Sequence, residues 1–388
     1  MSGTSPNILL TGATGYLGNL LAGMLLTRTQ SKLYLLVRPH HTEETIQQNI
    51  IRELDAQHIT HDSINWKERL QVIFIDEDQF TELPQQLLQL DLPITEIIHS
   101  AGCVDYFNTV LLEKINIQYT QALLQYAQAI KVSRFIFIST AFSSGVTEGP
   151  IPESLLPLEG KDVTEYTRSK RAAEHIVAES GVPFLILRPS VLIGDSVDGH
   201  YTGKRFGIYQ QWEAQERTLF RHYQPILHLL ISDYPVNMLH QDMFLKTFYA
   251  AYQQLPANSW LNMVSHEKSA PTPFQMGQFW VKTINRPEKV IYYHHLDSIP
   301  FMKLPPEQRV FLNFTLANNR IAGHHWQFCT NNLDKLIANG LAFTDATLSS
   351  LDICHEEFIK HSVRTQEFIK KYHANAPKPE EIIEIIVP

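Results

Sequence analysis

An α/β fold on a doubly wound parallel sheet is predicted from three observations. Short apolar runs recur along the first half of the chain, and stretches with helically spaced apolar residues separate them. The first run, Ile8-Leu9-Leu10, leads into Thr11-Gly12-Ala13-Thr14-Gly15-Tyr16-Leu17-Gly18, with Leu20, Leu21, Met24 and Leu25 following at helical spacing. Past residue 194 the alternation gives way to glycine-, aromatic- and proline-punctuated sequence. Buried strands joined through helices form a sheet covered on both faces, and ligands bind at the carboxyl ends of its strands.

The glycine stretch reads as strand, turn and helix start. Gly12 permits the tight turn, Gly15 lets a pyrophosphate approach the backbone, and Gly18 lets the helix pack closely on the strand. Helix N-terminal amides then face the phosphate charge. The spacing is Gly-x-x-Gly-x-x-Gly rather than Gly-x-Gly-x-x-Gly, and its place after the first strand marks a Rossmann-type dinucleotide site. Residues 32–37 form the second strand, which ends in Arg38 with no acid before Glu43. An acid there would take a ribose 2′-hydroxyl, whereas an arginine accommodates a 2′-phosphate, so the expected cofactor is NADP(H).

Residues 42–57 carry Ile46, Ile50, Ile51 and Leu54 on one helical face. The third strand, 70–75, is closed by Asp76, an expected neighbour of the adenine ring. The fourth, 94–99, runs into Ser100-Ala101-Gly102, small enough for backbone to pass close beneath a cofactor. A long helix is expected over 109–130, in which Asn116 either ties neighbouring backbone or faces solvent. The fifth strand, 133–139, puts Thr140 at its end. A helix over 163–180 carries Tyr166 and Lys170, and the sixth strand, 183–187, ends in Arg188-Pro189-Ser190.

The expected division is a dinucleotide-binding domain over 1–194, with a returning strand at 258–264, and a smaller, mostly helical substrate-binding cap from 195–257 and 265–388. Within the cap, Phe206, Ile208, Trp212 and Phe220 suit either a lipophilic pocket or core packing, and 377–388 reads as a loosely attached tail. A 388-residue chain that is 44% hydrophobic and 19% charged has the composition of a soluble globular protein. Its formal charge of −8 argues against nucleic acid as the main partner. No apolar run approaches the roughly 20 residues of a membrane span. Cys103, Cys329 and Cys354 make neither a metal-ligand cluster nor a disulfide framework, so a reduced, cytoplasmic, metal-free protein is expected. A homo-oligomer is left open.

Tyr166 and Lys170, four apart, project from one face of their helix, and no other Tyr-x-x-x-Lys occurs in the chain. Reduction of a carbonyl needs a hydride at carbon and a proton donor at oxygen. A phenol becomes a useful acid–base group near neutrality when a cation such as Lys170 favours its phenolate. Thr140 would add a hydroxyl that orients and polarises the same oxygen.

With these residues in place, the chain resembles the extended short-chain dehydrogenase/reductase family from Ile8 to about Val264. Three features are most similar to its fatty acyl-CoA reductase and thioester reductase branch, the male sterility type. They are Thr140, the run Tyr166-Thr167-Arg168-Ser169-Lys170-Arg171-Ala172-Ala173-Glu174, and Arg188-Pro189-Ser190-Val191-Leu192-Ile193-Gly194-Asp195-Ser196 followed by Gly199. The resemblance implies Thr140, Tyr166 and Lys170 as catalytic. Around NADP(H) it implies Gly12, Thr14, Gly15, Tyr16, Leu17, Gly18, Arg38, Asp76, Ser100, Ala101, Gly102, Lys170, Pro189 and Ile193. The implied reaction is reduction of a CoA- or carrier-bound acyl thioester to an aldehyde or alcohol. Ser100-Ala101-Gly102 departs from the more usual Asn-Ala-Ala, Asp76 lacks a preceding Gly, and the chain carries no adenylation or carrier domain. The acyl thioester is therefore expected on a separate molecule. A nucleotide-sugar epimerase or dehydratase is the alternative, with Lys204, Arg205, Arg217 and Arg221 as candidate diphosphate ligands. A catalytically silent cofactor sensor is disfavoured because such proteins typically lose the Tyr or the Lys.

Overall fold

Ile8, Leu9 and Leu10 have no exposed surface, as a strand covered on both faces requires. The structure is a computed structural model that describes residues 5–75, 80–106, 108–203 and 206–387. In chain order its strands begin with β1 (Asn7–Thr11), β2 (Lys32–Val37), β3 (Leu70–Phe74), β4 (Glu96–His99), β5 (Arg134–Ile138) and β6 (Phe184–Pro189). Then come β7 (Val191–Ile193), β8 (Ile226–Leu230), β9 (Met238–His240), β10 (Ser259–Met263), β11 (Lys289–Tyr293) and β12 (Ile383–Val387). Seven of them form one sheet in the order β10-β6-β5-β4-β1-β2-β3, every neighbouring pair parallel. The doubly wound expectation is met, with strand ends displaced by a residue or two.

Residues 1–190, 244–264 and 329–343 make one compact unit, and 191–243, 265–328 and 344–388 make the other. The division thus falls four residues before the expected 194, and 244–257 and 329–343 join the sheet-bearing unit rather than the cap. The second unit has helices Ile208–Arg217, Pro306–Ala322 and Leu348–His361 around a core that includes Trp212 and Trp280. Two small sheets accompany them, β12-β11-β8 and β7-β9. The tail expected to be loose is therefore paired. β12 runs parallel to β11, Ile382 is buried, and Glu384 accepts from Gln278 Nε2 at 2.8 Å and meets Lys282 Nζ at 3.1 Å. Its run of Ile and Val favours a strand wherever an edge is available.

The helix expected over 109–130 changes its winding partway. Thr109–Leu112 and Tyr119–Ile130 are α-helical, and Glu113–Gln118 between them is a π turn. Such turns cost stability and persist where side chains hold them, frequently at functional sites.

Helix Glu165–Glu179 starts from Thr164, whose hydroxyl accepts the Thr167 amide at 3.2 Å. Its inward face carries Lys170, Arg171 and Glu174, all buried. Arg188 of β6 meets Glu174 there, its Nε donating to both carboxylate oxygens at 3.0 and 3.1 Å. The Ser139 and Ser143 hydroxyls also donate to Glu174 Oε1, the latter at 2.7 Å. Arg188 reaches the Pro152 and Ser154 carbonyls at 3.0 and 2.9 Å. A buried charge left without its partner is strongly destabilising, so Glu174→Leu should cost about 3–5 kcal/mol of unfolding free energy. Urea titration measures it, and a cost below about 1 kcal/mol, the range of ordinary surface pairs, would contradict the account.

Candidate active site

Gly12 takes φ +74°, in the left-handed region that favours glycine, and a Cβ there would stand 2.7 Å from the Ala101 amide nitrogen. A Cβ on Gly18 would stand 2.1 Å from the Gly12 carbonyl oxygen. Both glycines are therefore fixed by close backbone approach. Gly15 donates to the Gly12 carbonyl at 2.8 Å and begins helix Tyr16–Arg28 with no side-chain cap. First-turn amides are the class of donor that receives a phosphate. Thr14, Tyr16 and Leu17 sit partly exposed along this turn.

Ser100-Ala101-Gly102 follows β4 and passes beside Gly12, with the Ala101 amide donating to Thr11 Oγ1 at 3.1 Å. The buried hydroxyls of Ser100 and Ser190, at the ends of β4 and β6, have no hydrogen-bond partner among the described residues. The orphaned Ser100 hydroxyl, on a residue whose backbone meets Gly12, suits a polar ligand that supplies the missing bond. A dinucleotide fits that demand. Arg38 stands exposed one residue beyond β2. Pro189 is buried at the end of β6, whereas Ile193 lies fully buried in β7 of the second unit. Asp76 lies outside the described residues.

Lys170 is buried, donates from Nζ to the Ile138 carbonyl at 2.6 Å, and stands 4.4 Å above the Phe137 ring centroid. Burial pushes its pKa down to about 8 against an upward pull from Glu174. One turn earlier, Tyr166 is half-buried, with the Tyr106 ring edge-on at 5.8 Å. Burial, with Tyr106 and Cys103 adding to it, pushes the Tyr166 phenol well up, so at neutral pH the proton is held on oxygen. Thr140, two residues past β5, is buried and caps the short helix Ala141–Ser144, its hydroxyl accepting from the Phe142 amide at 3.4 Å.

Asn116, whose role the sequence left open, is buried in the π turn and ties backbone. Its Oδ1 accepts from the Cys103 amide at 2.8 Å, and its Nδ2 donates to the Cys103 carbonyl at 3.1 Å and to Ser169 Oγ at 2.8 Å. Ser169 Oγ in turn donates to the Tyr166 carbonyl at 2.7 Å. Gly102 lies beside both groups: Asn116 Oδ1 and Lys170 Nζ are 3.4 and 3.6 Å from where a Cβ there would stand, ordinary contact distances. Sequence reasoning missed Tyr106, Glu174 and His99 as neighbours of this machinery. Glu174 did carry a signal: it lies one turn beyond Lys170 on the same helical face. Tyr106 sits in an irregular segment where no periodicity marks it.

The family described as Male sterility protein matches residues 10–245. A linear gramicidin synthase of Brevibacillus parabrevis is 30% identical over 201 residues, covering 49% of this chain and 4% of that one. Fatty acyl-CoA reductase 2 of Homo sapiens is 34% identical over 149 residues, covering 36% of this chain and 28% of that one. The chain thus spans less than a third of either relative. In fold it resembles the terminal R domain from the myxalamid PKS-NRPS biosynthetic pathway, with a TM-score of 0.71 at 19% identity, over 97% of this chain and 94% of that one. The chain belongs to the Male sterility protein family, as an NAD-binding domain of the extended short-chain dehydrogenase/reductase type related to fatty acyl-CoA reductases and thioester reductase domains.

Proposed function

We propose that the protein is an NADPH-dependent reductase of acyl thioesters, carried on CoA or on a carrier protein, with Thr140, Tyr166 and Lys170 as its catalytic set. The observation that carries the reading is that one helix presents Tyr166 and, one turn on, the buried Lys170, whose Nζ meets the Ile138 carbonyl at the end of β5. NADPH, held by the Gly12–Gly18 turn with Arg38 toward its 2′-phosphate, supplies the hydride when bound. Tyr166 and Thr140 donate hydrogen bonds to the carbonyl oxygen as negative charge grows on it. Collapse of the oxyanion breaks the carbon–sulfur bond and releases thiolate and aldehyde. In a second reduction, for which a second NADPH would supply the hydride, Tyr166 gives its proton to the aldehyde oxygen and the product is an alcohol. Lys170 stabilises the phenolate that remains.

A panel of acyl-CoA thioesters, aldehydes and nucleotide sugars with NADPH, read by product mass and released thiol, tests the class. Turnover of nucleotide sugars with no thiol released would overturn it. Because no cysteine nucleophile is needed, Cys103→Ser should keep its activity. Loss of turnover with cofactor binding intact would point to a covalent acyl route instead.

NADPH should bind more tightly than NADH, and Arg38→Asp should reduce that preference about tenfold, or about 1.4 kcal/mol. Equal affinities in the unaltered protein would refute the 2′-phosphate assignment. Tyr166→Phe should lower turnover by at least about a hundredfold while NADPH affinity is kept. A near-normal rate would route protonation elsewhere. The Lys170 ammonium is present below its pKa of about 8, so kcat/KM should fall as pH rises through that value, and a flat profile there would contradict its role.

A further inference from the structure

Thr11, His99 and Thr120, three fully buried residues to which the mechanism assigns nothing, form one hydrogen-bonded line that ends on Asn116. Its proton positions follow from counting donors. Thr120 Oγ1 donates its single proton to the Asn116 carbonyl at 2.8 Å, so it accepts from His99 Nε2 at 3.0 Å. Nε2 therefore carries a proton. Burial, with the Lys170 charge nearby, pushes the His99 pKa down to about 3, which leaves the ring neutral and Nδ1 bare. Nδ1 accepts from Thr11 Oγ1 at 2.7 Å, and Thr11 Oγ1 accepts from the Ala101 amide at 3.1 Å.

One end of this line is the dinucleotide turn, since Thr11 and Ala101 bracket the close approach at Gly12. At the other end Asn116 clamps Cys103 and, through Ser169, the Tyr166 turn. The Asn116 carbonyl lies within the π turn, so the Thr120 hydroxyl adds a side-chain bond to that turn. We infer that His99 is a positioning residue whose Nε2-protonated imidazole locks the π turn, and with it Asn116 and the Tyr166 turn, to the dinucleotide turn. Its effect on turnover rests on the catalytic reading of Tyr166; its proton placement does not.

Thr120→Val removes the hydroxyl but keeps the side chain's shape, and Thr120→Ser restores the hydroxyl. Thr120→Val should lower kcat about tenfold, the scale of a small misplacement at a reacting centre, with NADPH Kd and substrate KM within about twofold. Thr120→Ser should recover most of that rate. The rate arm uses the acyl-CoA that the unaltered protein reduces fastest. Ring nitrogen-15 NMR of the substrate-free protein should show His99 neutral and protonated at Nε2, with the Nε2 proton signal moving upfield in Thr120→Val and not in Thr120→Ser. A charged or Nδ1-protonated ring would overturn the inference, as would equal rate losses in the two variants or an unaffected Thr120→Val. The NMR arm holds or fails independently of the thioester reading.

Discussion

One buried ion pair, Glu174 with Arg188, ties the end of β5 to the helix that carries Tyr166 and Lys170. Ser139 and Ser143 flank Thr140 in sequence, and both donate to the Glu174 carboxylate, so the backbone that carries Thr140 is pinned on both sides. One turn back along the same helix, Lys170 reaches the carbonyl of Ile138 at the end of β5. Two buried charges carry a desolvation cost that their attraction alone need not offset. Here the extra bonds to two serines and two loop carbonyls complete the pair and fix the helix in a single register against β5 and β6.

That fixed register sets the electrostatics. Removal from water disfavours charge on both members of the Tyr–Lys pair, which lowers the lysine pKa and raises that of the phenol. At neutral pH the proton therefore stays on Tyr166, and Lys170, with a pKa of about 8, stays mostly an ammonium. In the proposed reduction, negative charge growing on the carbonyl oxygen would meet the Tyr166 proton and a Lys170 ammonium already in place.

The sheet was legible in the sequence because its central strands, such as β1, β2 and β5, are almost wholly buried and leave short apolar runs. The glycine turn was legible because close approach at Gly12 and Gly18 admits no other residue. What failed to show was whatever depends on partners distant in sequence. The π turn escapes because side-chain periodicity does not record which amide a carbonyl receives. Thr11 and His99 are 88 residues apart, so their bond leaves no local pattern. The tail was read as loose because prolines and charges precede it, and only the edge of β11 turns Ile383–Val387 into a strand. Asn116 was ambiguous because a polar residue inside a helix looks the same whether it faces solvent or clamps a loop.

Isotope transfer tests the central claim most directly. NADPH deuterated at the transferable position of its nicotinamide is incubated with an acyl-CoA, and the acyl product and free thiol are both quantified by mass. The account predicts one deuterium on the former thioester carbon for each thiol released, in the first-formed aldehyde. An acyl product without deuterium, or thiol released with no oxidation of the cofactor, would contradict it.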